Sequence, residues 1–385
     1  MLDVVVVGGG PAGLYSALLL AEEGFDVVLV EEHETLGDPT HCTGIVSDEL
    51  SELFKVPESL VLNRPTTCLV HSPSGRVFPF ESNGEQIVVI DRGEFDRELG
   101  AAALRAGVEI RTGYRVARLG SEPRRIQIDG PAGSLSARVC VLACGVGYGL
   151  PRQLGLPLPP LFLHSAQVEV DAREAPPMVE LFLGREIAPE GYGWMVPMMR
   201  GEQPRMKIGV VARGNAERRL GGLLSARGVS ERLASTPGPP VRRLLPLTPA
   251  SRTYGHRVVT VGDAAGLTKP TTGGGIFYSL LSGLLAAETV AEALRRDQLA
   301  AGDLRAYEAR WRGRLGPDLW ISSCVRRLFA RLTDRDLGTF LAALASEDAQ
   351  DAIRNTARFN WHGELIRTLL GQPGVKSTLV KAFFR

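Results

Sequence analysis

"DVVVVGGGPAGLYSALLLAEEGFDVVLVEEH", residues 3–33, decides the fold. Val4–Val7 is a short β-branched run of the kind that forms a strand buried on both faces. Gly8, Gly10 and Gly13 then stand in the spacing G-x-G-x-x-G, with Pro11 and Ala12 between the last two. Leu14, Ala17, Leu18 and Ala21 follow at helical spacing. Gly24 ends that helix, Val27–Val30 reads as a second strand, and Glu31 stands at its tip. The spacing gives each glycine a task. Gly8 permits a tight turn, Gly10 lets the backbone approach a pyrophosphate, and Gly13 lets helix and strand pack closely. The phosphates are expected on the free N–H groups at the helix start. Glu31 is expected to accept hydrogen bonds from a ribose diol and to disfavour a phosphorylated ribose; Glu32 is the second candidate. The glycine motif is weak alone, but strand, helix, second strand and acid are in register here, which predicts a dinucleotide site.

The motif does not separate NAD from FAD, but the rest of the chain does. A compact doubly wound sheet does not follow. The chain breaks into "LGDPTHCTGIVS" (36–47) and short strands, and a second glycine-rich turn arrives only at "GDAAGLTKPTTGGGIFYSLLSG" (262–283). There Val258–Val261 reads as a strand, Gly262-Asp263 as its end, and Gly273, Gly274, Gly275 and Ile276 as the mouth of a helix running from about residue 274 to 295. An acid after a strand can hold a polyol. A bare helix start presents N–H donors to an anionic edge, as the N1–C2=O edge of a reduced isoalloxazine is. The first turn is therefore expected to hold a pyrophosphate, and the second a ribityl chain and a flavin ring.

The bulk numbers exclude other classes. Lys+Arg 44 against Asp+Glu 43 leaves a net charge of +1, so a nucleic-acid partner is not expected. Five cysteines without a Cys-x-x-Cys pair fit a reducing compartment, and no metal site is expected. Cys140 lies in an apolar strand, "ARVCVLACG", as a core thiol. The N-terminus lacks the pattern of a secretory signal, and no run of about 18 uncharged apolar residues is evident, so a cytoplasmic location is expected. The C-terminal "VKSTLVKAFFR" (375–385) is the segment from which a peripheral lipid contact is expected, against the plainer reading of a packed helix end.

The expected fold class is α/β with α+β insertions. A Rossmann-type FAD-binding domain is assembled from 1–55, 88–155 and 250–300. An antiparallel-sheet substrate domain comes from 56–87 and 156–249, and a helical C-terminal region spans 301–385.

The N-terminal glycine motif, "DRGEFDREL" (91–99), "VGDAAG" (261–266), "KPTTGGGI" (269–276) and "HCTG" (41–44) before an expected helix together resemble the geranylgeranyl reductase family. That family belongs to the FAD-dependent group that includes p-hydroxybenzoate hydroxylase. The resemblance covers about residues 1 to 300. It implies a flavoenzyme that saturates double bonds of polyprenyl chains carried on a lipid, a quinone or a diphosphate. It implies that Gly8, Gly10, Pro11, Ala12, Gly13 and Glu31 hold the ADP half of FAD and that Arg92 lies near the cofactor. It also implies that Gly262 and Asp263 meet the ribityl and pyrophosphate region, and that Gly273, Gly274, Gly275 and Ile276 line the flavin. Cys42 stands where family members often carry a cysteine facing the flavin, either as proton donor or as a thiol filling a gap. His41 beside it is not expected to form a dyad with it.

"PEGYGWMVPM" (189–198) matches the family's Tyr-x-Trp-x-Phe-Pro at Tyr192, Trp194 and Pro197, with Val196 in place of Phe. Alternation puts Tyr192 and Trp194 on one strand face, lining an apolar tunnel. Tyr192 is a second candidate proton donor. "LACGVGYGL" (142–150) departs from the Ala-Asp-Gly-x-x-Ser of many relatives, with Cys144 and Tyr148 at the acid and serine positions. That motif serves FAD and NADPH together in the hydroxylases, so the electron donor stays open between NADPH and a ferredoxin-like protein. Two other readings stand beside the reductase: an FAD-dependent aromatic monooxygenase, and a flavoprotein relaying electrons to a membrane quinone partner.

Overall fold

The computed structural model describes residues 1–81 and 84–383, without the side chains of 379–383. The end of the C-terminal segment read above as a lipid contact therefore lies outside the described residues. By contact the chain forms two compact units. One comprises 1–40, 92–162 and 246–317; the other comprises 41–91, 163–245 and 318–385. The first boundary falls after Thr40, not after residue 55. The expected helical region is divided within one helix, Ala301–Phe329, at Pro317.

The first unit is built on an eight-stranded sheet. Its main path runs Tyr254–Gly255, Val258–Thr260, Gly133–Leu142, Leu2–Val7, Val27–Val30, Glu109–Arg111. The three strands Leu2–Val7, Val27–Val30 and Gly133–Leu142 pair in parallel. Val4, Val5 and Val6 are fully buried, as a two-sided strand demands, and each such valine contributes about 1.5–3 kcal/mol relative to exposure. Helix Pro11–Glu22 follows Leu2–Val7 and packs on helix Ile276–Arg295 through small residues. A Cβ on Gly283 would stand 2.9 Å from the Ala12 carbonyl oxygen. Ser16 Oγ satisfies itself by donating to that same carbonyl at 2.6 Å. Helix Ile276–Arg295 is long and apolar enough to cross a bilayer, but 78% of its apolar window is buried inside the protein, as a core helix is.

The second unit is built on a seven-stranded sheet in the order Val241–Pro246, Phe162–Asp171, Gln203–Ala212, Tyr192–Arg200, Met178–Phe182, Thr67–His71, Val77–Glu81. Pairing is antiparallel from Phe162–Asp171 through Met178–Phe182. The step to Thr67–His71 is parallel, so the sheet is not wholly antiparallel as expected. That strand comes from a separate, earlier piece of chain, so no hairpin fixes its direction. Period-two alternation splits the sheet. Ala166, Val168, Met195, Met206, Ile208 and Val210 face helix Ala216–Ser225 through Leu220 and Leu223. The other face carries Ser165, Gln167, Lys207, Gly209, Trp194 and Tyr192.

The loop after Val27–Val30 does not lead into a helix. "GIVS" forms a short strand, Ile45–Ser47, paired antiparallel with Ile87–Ile90, before a single 3-10 turn at Asp48–Glu52. The β-branched Ile45 and Val46 favour that pairing over a helical start.

Candidate functional site: a glycine cradle and a polar-apolar sheet face

In the first unit the two glycine turns meet. Gly8 has φ +113°, and a side chain there would overlap the Ala143 carbonyl oxygen. A side chain on Gly13 would overlap the Gly8 carbonyl. Both glycines are thus set by packing. Gly10 is different: a Cβ there meets nothing within 4 Å, so its backbone borders open space. It is the N-cap of helix Pro11–Glu22, with Pro11 at the first turn, no side-chain cap and no acid in that turn. Its first N–H groups keep their capacity for an anionic ligand.

Glu31 folds back onto this turn. Gly9 N donates to its Oε2 at 2.6 Å and His33 N to its Oε1 at 3.0 Å, and the His33 ring also contacts it. Its carboxylate, 12% exposed, fixes the turn and retains acceptor capacity for a diol. Glu32 points to Arg115 and is 53% exposed, which favours Glu31 of the two. Arg92 opens helix Arg92–Arg105 and pairs with Asp96 one turn on. Asp96 is 5% exposed, and its Oδ1 has no hydrogen-bond partner among the described residues. Burial pushes this carboxyl above the usual range, against the pull of Arg92 and with a smaller push from Glu31. Asp96 was present in "DRGEFDREL", but only the fold reveals its orphaned oxygen beside the Glu31 turn.

The second turn lies against the first. A Cβ on Gly262 would stand 3.0 Å from the Ala12 Cβ, and Gly262 N donates to Ser282 Oγ at 3.0 Å. Asp263 sits in the 3-10 turn Gly262–Ala265, and Tyr148 donates its hydroxyl to the Asp263 carbonyl at 2.9 Å. A Cβ on Gly275 would lie 3.3 Å from Asp263 Oδ1, so acid and glycine mouth adjoin. Gly273 has φ +70°, and the helix begins at Ile276 rather than at 274. Lys269, 4% exposed, packs its Cε where a Gly274 side chain would go. Gly8, Gly10, Pro11, Ala12, Gly13, Glu31, Gly262, Asp263, Gly273, Gly274, Gly275 and Ile276 thus share one unit, with Arg92 in it. Tyr148 entered the sequence reading only as a departure from the family's serine, and Lys269 was not singled out although it opens "KPTTGGGI".

Cys42 belongs to the second unit. Its Sγ accepts from Gly44 N at 3.3 Å. His41 meets Ser165 Oγ at 3.3 Å, not Cys42, and burial lowers its pKa to about 4 with help from the Arg243 charge. Tyr192 and Trp194 do share a strand face, with ring centroids 5.9 Å apart. Trp194 is 6% exposed, its indole covers Gly209, and its Nε1 has no partner among the described residues. Burial raises the Tyr192 phenol to about 12. Pro197 falls on the alternate face by register, opposite Met206, and its carbonyl accepts from Asn63 Nδ2 at 2.8 Å. The apolar side of the Trp194 face continues through Leu181 and Val70 to Phe78 and is covered by Leu341.

A sheet with a parallel core, a glycine turn, an acid at the second strand tip, and a second glycine turn closing on the first define an FAD-binding oxidoreductase. The family model of the FAD binding domain matches residues 1–52. Digeranylgeranylglycerophospholipid reductase of Methanothrix thermoacetophila is 32% identical over 371 residues, covering 90% of this chain and 92% of that protein. A second protein of that name, from Methanopyrus kandleri, is 30% identical and covers 90% and 91%. A geranylgeranyl bacteriochlorophyll reductase-like structure from Thermoplasma acidophilum superposes with TM-score 0.86 over 99% of both chains at 21% identity, which establishes the shared fold. The chain belongs to the geranylgeranyl reductase family.

Proposed function

We propose that this chain is an FAD-dependent reductase of isolated C=C bonds in the polyprenyl chains of a glycerophospholipid. The observation that carries the reading is the approach of Gly262 to Ala12, which brings two glycine turns distant in sequence side by side. In this reading the open backbone at Gly10 and the uncapped start of helix Pro11–Glu22 bind the pyrophosphate. Glu31 accepts from the ribose, Arg92 and Asp96 flank that half, and Asp263 accepts from the ribityl chain. Gly273, Gly274 and Gly275 pass close to the flavin edge because they lack side chains. FAD, when bound and reduced, supplies the hydride.

An isolated alkene accepts hydride poorly, so the residues around it must exclude water and hold a proton in place. The Trp194 face offers an apolar bed for a prenyl chain. Cys42 and Tyr192 are the proposed proton donors. A phenol held near 12 stays protonated at neutral pH and gives up its proton only to a strongly basic centre, such as the carbon opposite hydride delivery. NADPH or a ferredoxin-like protein is the proposed electron source, and a lipid surface the proposed source of substrate. The relatives' names carry the lipid part of this reading; the monooxygenase and relay readings have no comparable support.

The test is anaerobic. The flavoprotein is reduced with dithionite, then mixed with a geranylgeranylated glycerophospholipid while the flavin absorbance is followed. Bleached bands that return on adding the lipid, with a saturated chain found by mass spectrometry, support the reductase. Return only on admitting air would shift the reading to a monooxygenase or relay.

A further inference from the structure

Lys207 lies in the middle of strand Gln203–Ala212 and is 3% exposed. Its neighbours on the strand alternate with it, so it stands on the Gln167–Trp194 face and not in the apolar layer against helix Ala216–Ser225. An ammonium is expensive to bury and is kept only where an anion or strong acceptors repay the loss of water. Among the described residues its hydrogen-bond partner is the Thr43 carbonyl oxygen at 3.3 Å. Next to it Gln167, 5% exposed, donates Nε2 to the Cys42 carbonyl at 3.4 Å, while its Oε1 is buried without a partner among the described residues. With Ser165 on His41, three side chains of two adjacent strands hold three consecutive loop residues, and Cys42 is the middle one.

The charges around Lys207 narrow its role. Burial pulls its ammonium below the usual lysine range; Cys42, Glu169 and Asp91 pull upward, and Arg200 pulls downward. Arg200 already forks onto both oxygens of Glu169 and also pairs with Asp91, and Arg205 lies 3.5 Å from Glu169. Of the three groups that favour its charge, Cys42 is thus the one with no arginine partner among the described residues.

We propose that Lys207 is the positioning residue for Cys42: its ammonium stabilises the thiolate and hands a proton back to it, while Gln167 fixes the loop. The role in turnover rests on the reductase reading. In that reading the Cys42 S–H bond would break as a C–H bond forms at the alkene carbon opposite the one that receives hydride. An N–H bond of Lys207 then breaks as S–H reforms, and the neutral amine regains a proton from water. The orphaned Gln167 Oε1 supplies an acceptor for that water.

The experiment reads the thiol directly and needs no lipid. Full-length, FAD-loaded protein is alkylated with iodoacetamide across the range from about pH 6 to 10. Modification of Cys42 is followed by peptide mass spectrometry in wild type, Lys207→Met and Lys207→Arg. The quantity compared is the rate at neutral pH divided by its high-pH plateau, since altered access moves both alike. Lys207→Met is expected to lower this ratio about tenfold, and Lys207→Arg to hold it within about threefold. An unchanged ratio in Lys207→Met overturns the proposal. If Lys207→Met does not load FAD, Lys207→Gln carries the same comparison. The reductase reading is judged separately: if the lipid fails to reoxidise wild-type flavin, that reading falls, while the thiol ratio still decides whether Lys207 and Cys42 are coupled.

Discussion

The Trp194 indole lies across Gly209 on the neighbouring strand so closely that any side chain at 209 would overlap its six-membered ring. The strand pairing fixes both residues, so ring and glycine define one shape. Gly209→Ala is expected to displace Trp194 at a cost of about 1–3 kcal/mol, as overpacking does. Tryptophan fluorescence and thermal melting measure this directly. FAD content is expected to stay normal, and KM for the prenyl lipid to rise. An unshifted emission spectrum with unchanged KM would remove Trp194 from the substrate bed.

The glycines of the first turn separate packing from ligand access. Gly8→Ala places a Cβ against the Ala143 carbonyl at a positive φ, so both stability and FAD binding are expected to fall. Gly10→Ala meets no protein atom, so the apoprotein is expected to melt within about 0.5 kcal/mol of wild type. Its FAD affinity is nevertheless expected to drop by about tenfold or more, because the new methyl would stand in the approach proposed for the pyrophosphate. Equal FAD affinity in Gly10→Ala, by flavin fluorescence titration, would place the pyrophosphate elsewhere.

Cys42→Ala and Tyr192→Phe are expected to retain FAD and to slow alkene reduction. The proton donor is the one whose loss lowers kcat by about 10²-fold or more, the usual scale of general acid catalysis. Single-turnover reoxidation of reduced flavin by the prenyl lipid checks this. A variant with wild-type turnover is excluded as donor.

His41 gives the second unit an acid-sensitive point. Burial and Arg243 lower its folded pKa to about 4, below the 6.5 of a free imidazole. The unfolded chain therefore binds a proton that the folded chain refuses. The contribution is present above pH 6.5 and is lost as pH falls toward 4. His41→Asn is expected to flatten this dependence by about 2 kcal/mol at most, given partial exposure of the ring. Urea unfolding at either end of the window measures it. A slope identical to wild type would contradict a buried neutral His41.

The βαβ unit of the first glycine turn was legible because its signals are local. Val4–Val7, the G-x-G-x-x-G spacing and Glu31 lie within one βαβ unit, where strand period, glycine conformation and helix start follow from near neighbours in sequence. The Tyr192–Trp194 face was legible for the same reason, since period-two alternation needs only the strand. The helix expected after "HCTG" was not: Ile45–Ser47 became a strand because Ile87–Ile90 was there to pair with it, and that partner lies some 40 residues away.

By itself, then, the sequence determined the two glycine turns, the acid at the strand tip and the aromatic face, because sterics and short-range periodicity dictate them. Only the tertiary structure decided that Gly262 reaches Ala12, that Glu31 turns back on Gly9, that Pro197 falls away from Trp194, and that Lys207 and Gln167 close on the Cys42 loop. Each of these joins residues from separate elements. Which buried polar groups find partners is a property of the packed whole, where an ammonium or an amide must settle with whatever the fold brings beside it.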